Sequence, residues 1–346
     1  MNLRLRGHKP SRNLSTSFAV AAVMLLFFIV GSGCSAWKSD SVDLGYKIYV
    51  PNQSDNTITV LPREKSEKTE IIDLDSSPQF LAKDPGSALV YALLSGTNSI
   101  TTINSDDDSI DETFVFEVGT PQPQSNRRMI FSRDGQKAYI LTSYEPSGLA
   151  VMDVSDRSFI RGFNLGSTSM DNYYFNSDGS RLYLTDPSLG RIYVVNTATD
   201  ARLSDILVPE SFSVGQYDPD NGLFYMAETG NQGNVKIFDP VTEIFTQRID
   251  NVVSNIVRIV KSSDGSRLFV LGSDEMAVIK LSDYSIDEII NLDYGSPGDF
   301  QYLPDKKYFL IPSTSADLIM VMDPNKYTTE HVIDTGRSPG ELLIIQ

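Results

Sequence analysis

The stretch "NSDGSRLYLTD" (176–186) returns as "SSDGSRLFVLG" (262–272) and, more loosely, as "SRDGQKAYILTS" (132–143). Each copy pairs an Asp-Gly turn with a short apolar strand built around an aromatic residue. Past residue 45 that aromatic recurs seven times, as Tyr49, Tyr91, Tyr139, Tyr183, Tyr225, Phe269 and Phe309, at intervals of 42, 48, 44, 42, 44 and 40 residues. A period of about 40–50 residues belongs to solenoids and propellers. The unit at 170–209 decides between them. It reads as strand "MDNYYF", turn "NSDGS", strand "RLYLT", loop "DPSLG", strand "RIYVVN", turn "TATDA" and strand "RLSDILV", with no amphipathic helix. That is a four-stranded antiparallel meander.

The turn chemistry fits. In Asp134-Gly135, Asp178-Gly179 and Asp264-Gly265, glycine supplies positive φ and aspartate bonds nearby backbone N–H groups. "KDPGS" (83–87), "DPDNG" (218–222) and "LPDKK" (303–307) hold the same place in degraded form. Calcium binding by these loops is disfavoured, because none has the D-x-D-x-D-G ligand spacing; "NSDDDSIDE" (104–112) also lacks the register and reads as a solvated hairpin end.

One such sheet cannot bury both faces, whereas stacking around an axis buries them and removes long exposed edges. Second strands such as "RLYL" and "RLFVL" are apolar at successive positions, as a doubly covered strand must be. The first unit begins at "YKIYV" without an inner strand, and the last ends on a surplus run, "GELLIIQ" (340–346). The expected fold is therefore all-β: a seven-bladed β-propeller of four-stranded antiparallel blades over 46–346. Pairing of the C-terminal strand with the N-terminal blade closes it.

The aromatic second strand, the "N-x-I-x-V-x-D" third strand and the "G-x-x-P" linker resemble the YVTN-repeat family of seven-bladed propellers. "IYVPNQSDNTITVL" (48–61) and "LYLTDPSLGRIYVVN" (182–196) carry the repeat, and "VGTPQP" (118–123), "YGSPG" (294–298) and "TGRSPG" (335–340) carry the linker. The resemblance spans 46–346 and implies the fold. For function it implies little, because similar propellers include surface-layer-like proteins, amine dehydrogenase subunits and envelope proteins without an assigned role.

Residues 1–33 read as a signal peptide of the lipoprotein type. Arg4, Arg6, Lys9 and Arg12 precede the apolar "FAVAAVMLLFFIV" (18–30), which is too short to cross a bilayer and has the length of a signal-peptide core. "GSGC" resembles the bacterial lipobox, with Cys34, the one cysteine of the chain, as the lipidated (palmitate-bearing) mature N-terminus. Ordinary cleavage after Ala36 and an uncleaved anchor are the alternatives. Residues 34–45 read as a flexible tether, and Ser35 after the cysteine points to an outer-membrane or cell-surface location, on the periplasmic or extracellular side.

The formal charge is −16, and without the four leader cations it becomes −20. Such a surface repels phosphate polymers, so nucleic-acid binding is not expected. His331 is the single histidine beyond the leader and cannot build a histidine metal cluster; C-x-x-C-H is absent, and the one tryptophan, Trp37, lies in the tether. No cofactor, metal or catalytic residue is expected. In propellers the loops between second and third strands share one face with the links between blades. Here that face offers Asp55, Glu145, Asp186, Glu228, Asp274, Glu275 and Asp317, with Glu210 on a link; Arg127, Arg128 and Arg337 as counter-charges; and Tyr144, Phe212 and Tyr294 as aromatic anchors. These read either as a solvated acidic rim or as a docking face for a basic or mixed-charge envelope protein. The expected role is a lipid-anchored, non-catalytic scaffold. A lactonase-like hydrolase or redox-accessory subunit using the channel mouth is the alternative.

Overall fold

The computed structural model describes residues 42–64, 69–96, 99–116, 126–142, 148–166, 172–229, 233–303 and 308–345. Within them lie seven sheets of four antiparallel strands. The opening stretch shows why. Arg181–Asp186 is the second strand of blade 4, between Asn172–Phe175 and Arg191–Asn196, with Ala201–Leu207 outermost. Its first turn carries Gly179 at φ 75°, and Asp178 accepts a hydrogen bond from Ser180 N at 2.8 Å. Gly135 and Gly265 repeat the conformation at φ 69° and 71°. The degraded "LPDKK" turn lies largely outside the described residues, as do the leader, Cys34 and most of the tether.

Seven apolar clusters fill the spaces between neighbouring sheets. Each of the seven aromatic anchors lies in one of them, buried to 6% exposure or less. Burying such a side chain contributes roughly 1.5–3 kcal/mol. The decisive cluster joins blade 7 to blade 1: Leu303, Leu310, Ile319 and Val321 pack against Leu44, Ile48, Val50, Leu61 and Leu342. The last sheet therefore packs against the first.

Backbone pairing completes the join. Leu343–Ile345 becomes the inner strand of blade 1, with Lys47 opposite Ile345, Ile48 opposite Ile344 and Tyr49 opposite Leu343. Blade 1 is thus assembled from both ends of the ring.

A second device, invisible as a motif, ties several blades to the one before. The turn between third and outer strands carries one residue at positive φ in blades 2 to 7: Asp108, Arg157, Asp200, Glu243, Tyr284 and Tyr327. In several blades its side chain reaches the second strand of the preceding blade. Asp108 accepts from Lys47 Nζ at 2.9 Å and from the Tyr49 hydroxyl. Asp200 does the same for Lys137 (2.6 Å) and Tyr139 (2.9 Å), and Tyr327 accepts from Arg267 at 2.5 Å. Two measurements test these joins. Deleting residues from Gly340 onward should lower cooperative stability by several kcal/mol in denaturant melts. Asp200→Ala, which leaves Lys137 and the buried Tyr139 hydroxyl with only Thr197 O as acceptor, should cost about 1–3 kcal/mol.

Candidate functional site: the mouth of the central channel

Each inner strand runs from the link between blades toward the first turn. The links and the turns between second and third strands therefore share one end of the ring. The candidate site residues can be placed on that face one by one.

Asp55 lies in the blade 1 turn and receives Arg337 Nε at 2.5 Å and Arg337 N at 2.6 Å; the backbone hydrogen bond is the main reason its carboxyl sits below the usual aspartate range. Glu228 is held by Lys236 at 2.7 Å and by Asn234 at 2.5 Å, and those two bonds, Lys236 first, lower its pKa to about 2. Glu210 on the link meets the same lysine. Asp317 accepts from Ser338 N at 2.8 Å, across the blade 7–blade 1 link. Asp274 is exposed, Glu275 half-buried and Tyr294 half-buried against the blade 6–blade 7 cluster. Glu145 and Tyr144 fall outside the described residues, as does the side chain of Arg127.

Two expectations are corrected. Asp186 is wholly buried rather than part of an open rim, because its carboxylate organises its own turn through Ser188 Oγ (2.7 Å) and Leu189 N (3.1 Å). Phe212 is 2% exposed and packs between blades 4 and 5, so it is no surface anchor. Among the described residues, apolar groups that stand exposed on this face include Leu189 (50%), Leu207 (55%), Val257 (44%) and Val115 (59%). His331 lies half-buried on the outer strand of blade 7, edge-on to Tyr308.

The electrostatic centre of the face is a cluster around the axis. Arg128 comes from the inner strand of blade 3 (Asn126–Phe131) and Arg258 from that of blade 6 (Arg258–Lys261). Both reach Glu341, at 2.6 and 3.0 Å, so one carboxylate bridges guanidiniums from well-separated blades. Arg258 also lies 3.3 Å from Asp299 Oδ1. Asp299 is 1% exposed and accepts from Leu342 N (3.0 Å) and Gln301 Nε2 (2.9 Å) through Oδ2. Phe80, from the blade 2 inner strand (Pro78–Lys83), lies 5.3 Å beneath the Arg128 guanidinium.

These environments drive the two acids apart. Burial pushes Asp299 up and outweighs the attraction of Arg258. Burial pushes Glu341 in the same direction, but there Arg258 and Arg128 together win and hold it below the usual range. Among the described residues no group of three or more His, Cys, Asp or Glu side chains is disposed to hold a metal ion.

Only Arg128 of the axial four stood among the residues read from sequence. The signal for the acids was nonetheless present. Ser296-Pro297-Gly298-Asp299 and Ser338-Pro339-Gly340-Glu341 are two copies of S-P-G-acid, in the links leading into blades 7 and 1. They fold alike: Ser296 and Ser338 both have φ 56°, and Gly298 N and Gly340 N donate to Pro312 O (2.8 Å) and Pro51 O (2.9 Å). Glycine is required by proximity, since a Cβ at Gly298 would stand 2.9 Å from Pro339 O. Each copy delivers its acid to the axis.

No family model matches this chain, and no curated protein matches it in sequence. Solved structures do match in fold. A functionally unknown protein from Desulfotomaculum acetoxidans superposes with a TM-score of 0.68 at 14% identity, covering 87% of this chain and 99% of that one. The periplasmic gluconolactonase of Pseudomonas aeruginosa gives 0.64 at 15% identity, covering 87% and 99%. The dihydro-haem d1 dehydrogenase NirN gives 0.65 at 14% identity, covering 87% and 75%. At these identities the likeness is one of fold: the chain is a seven-bladed propeller.

The charges of this face set two expected outcomes. Arg258→Met leaves Asp299 and Glu341 facing each other without their shared cation and should cost about 3–5 kcal/mol in denaturant melts. In acid, the depressed carboxyl of Glu228, near 2, contributes stability that is full above its unfolded-state pKa. That contribution is lost as pH falls from about 4.5 toward 2. Glu228→Gln should flatten this part of the stability–pH curve.

Proposed function

We propose that this protein is an exported, lipid-anchored propeller of YVTN-like repeats that acts as a non-catalytic binding platform for an envelope protein. One observation carries the reading: the turns and links of the mouth face are braced against one another. Asp55 ties the blade 1 turn to Arg337, Asp317 ties the blade 7 turn to Ser338, and Lys236 ties the Glu210 link to Glu228. Loops fixed in this way meet a partner without the ordering cost that mobile loops incur. Asp274 and Glu145 supply acidic contacts and Leu189 and Leu207 apolar ones. The partner that fits is a protein with basic or mixed charge and an apolar spot. Palmitate on Cys34 holds the ring at the membrane, at the outer membrane or cell surface.

Detergent extraction followed by crosslinking should recover a defined envelope protein. Asp274→Lys combined with Leu189→Asp should weaken that capture at least tenfold and flatten its salt dependence. Unchanged capture would remove the mouth face from this role. Separately, Cys34→Ser should abolish fatty-acid labelling and release the protein from membranes.

A hydrolytic reading is favoured by a specific feature of the same face. Asp299 and Glu341 have pKa values driven in opposite directions beside two arginines, a pattern that suits acid–base work. A gluconolactonase is also among the proteins of similar fold. Hydrolysis of gluconolactone faster than the spontaneous rate, abolished in Glu341→Gln, would replace the platform reading with this one.

A further inference from the structure

We propose that the channel mouth binds a small organic carboxylate between Arg128 and Arg258, in exchange with the side chain of Glu341. The inference is separate from protein docking on the rim and stands whether or not that occurs.

Two guanidiniums from blades 3 and 6 converge on one carboxylate, and planar N–H forks of this kind match a carboxylate in both geometry and charge. The carboxylate now between them belongs to the chain itself. It is on a flexible three-bond side chain, in a segment whose backbone is anchored without it. Gly340 N donates to Pro51 O at 2.9 Å, Leu342 N donates to Asp299 Oδ2 at 3.0 Å, and the strand Leu343–Ile345 pairs with blade 1. Rotation of the Glu341 side chain therefore breaks only its own contacts with the two arginines and does not open the ring.

Arg128, Arg258 and Glu341 keep 22%, 20% and 21% of their side-chain surface accessible, so solvent reaches the cluster. The resident pairing also leaves hydrogen-bonding capacity unused. Arg258 Nε has no hydrogen bond, and the Oδ1 of Asp299, on a side chain 99% buried, has only its 3.3 Å ion pair with Arg258. A ligand carboxylate can pair with both arginines as Glu341 does, and a hydroxyl beside it can donate to Asp299.

The groups around the pair combine an aromatic face with polar side chains. Phe80 floors Arg128, Gln301 holds the other oxygen of Asp299, and Tyr174 donates to Gly215 O, linking the inner strands of blades 4 and 5. A compact acid with hydroxyl groups suits such a wall.

The test uses the full-length protein in detergent, titrated calorimetrically with sodium gluconate and sodium acetate. Glucitol and sodium chloride at matched ionic strength are the controls. The wild type should bind gluconate and not glucitol, with affinity falling as salt rises. Glu341→Gln, which removes the competing charge while keeping the shape, should bind at least tenfold tighter. Arg128→Gln should bind at least tenfold more weakly. If Glu341→Gln fails to fold, Glu341→Asp serves the same purpose, because shortening the side chain withdraws its carboxylate from the arginines. The proposal is overturned if folded Glu341→Gln or Glu341→Asp binds gluconate no better than the wild type. It is equally overturned if glucitol binds as well as gluconate, or if Arg128→Gln leaves affinity unchanged. Binding of this kind without lactone hydrolysis leaves the platform reading intact.

Discussion

A ring of sheets is stable only if the last sheet reaches the first, and in this protein that junction is made three times over. The apolar contact of blades 7 and 1 removes two faces from water. The three-residue strand Leu343–Ile345 satisfies the inner backbone edge of blade 1. Glu341, two residues earlier, is gripped by arginines from blades 3 and 6. The third contact differs in kind from the others, because it ties the closing segment to distant parts of the ring and not only to its neighbours. Every other blade then inherits its position, since each sheet is held between two others and none has a free face.

Around the rest of the circle the same problem is solved by smaller means. Tyr173 donates to Met129 O, linking blades 4 and 3, and Tyr174 donates to Gly215 O, linking blades 4 and 5. On the opposite face, each described turn between third and outer strands in blades 2 to 7 carries one residue at positive φ. In blades 2, 4 and 7 it meets a basic or aromatic side chain of the blade before. Left-handed backbone costs a non-glycine residue about 1 kcal/mol or more. Such a conformation persists when the contact it delivers outweighs that cost.

The architecture was legible because it is written repeatedly. Seven aromatic anchors at a near-constant period, Asp-Gly turns and a tail without a partner each depend on local residues. Local residues are what a sequence displays. The site was legible only in part, and the reasons are physical. Asp186 ends a second strand and Asp317 directly precedes a third, at opposite ends of equivalent turns; one carboxylate folds inward to cap its own turn while the other braces a link. Which backbone N–H each one reaches depends on how turn and link fold against each other, and residue type alone does not encode it. Phe212 looked like a rim aromatic because it comes directly after a polar link, but a bulge at the start of its strand turns it into the core between blades. Asp299 and Glu341 come 42 residues apart, and only the ring brings their two links to the same axis. The S-P-G-acid repeat does mark both acids, but as a four-residue echo inside links whose other residues differ, it is far fainter than the strand pattern.

The axial cluster also bears on why charge was kept there. Replacing a buried ion-pair network by well-packed apolar residues is commonly neutral or stabilising, so closure alone does not call for two arginines and two acids. A plug of leucines would fasten the ring as firmly. What apolar residues cannot do is discriminate among polar molecules entering the channel, or leave a position that exchanges one carboxylate for another. The chain carries a net charge of −16 and nonetheless places two arginines where they face inward. Salt bridges on the rim are screened and contribute little to stability, whereas charges lining a narrow, low-dielectric channel act on whatever enters it. The distribution of charge in this propeller, acids braced around the face and arginines at its centre, suits recognition at the axis better than it suits stability.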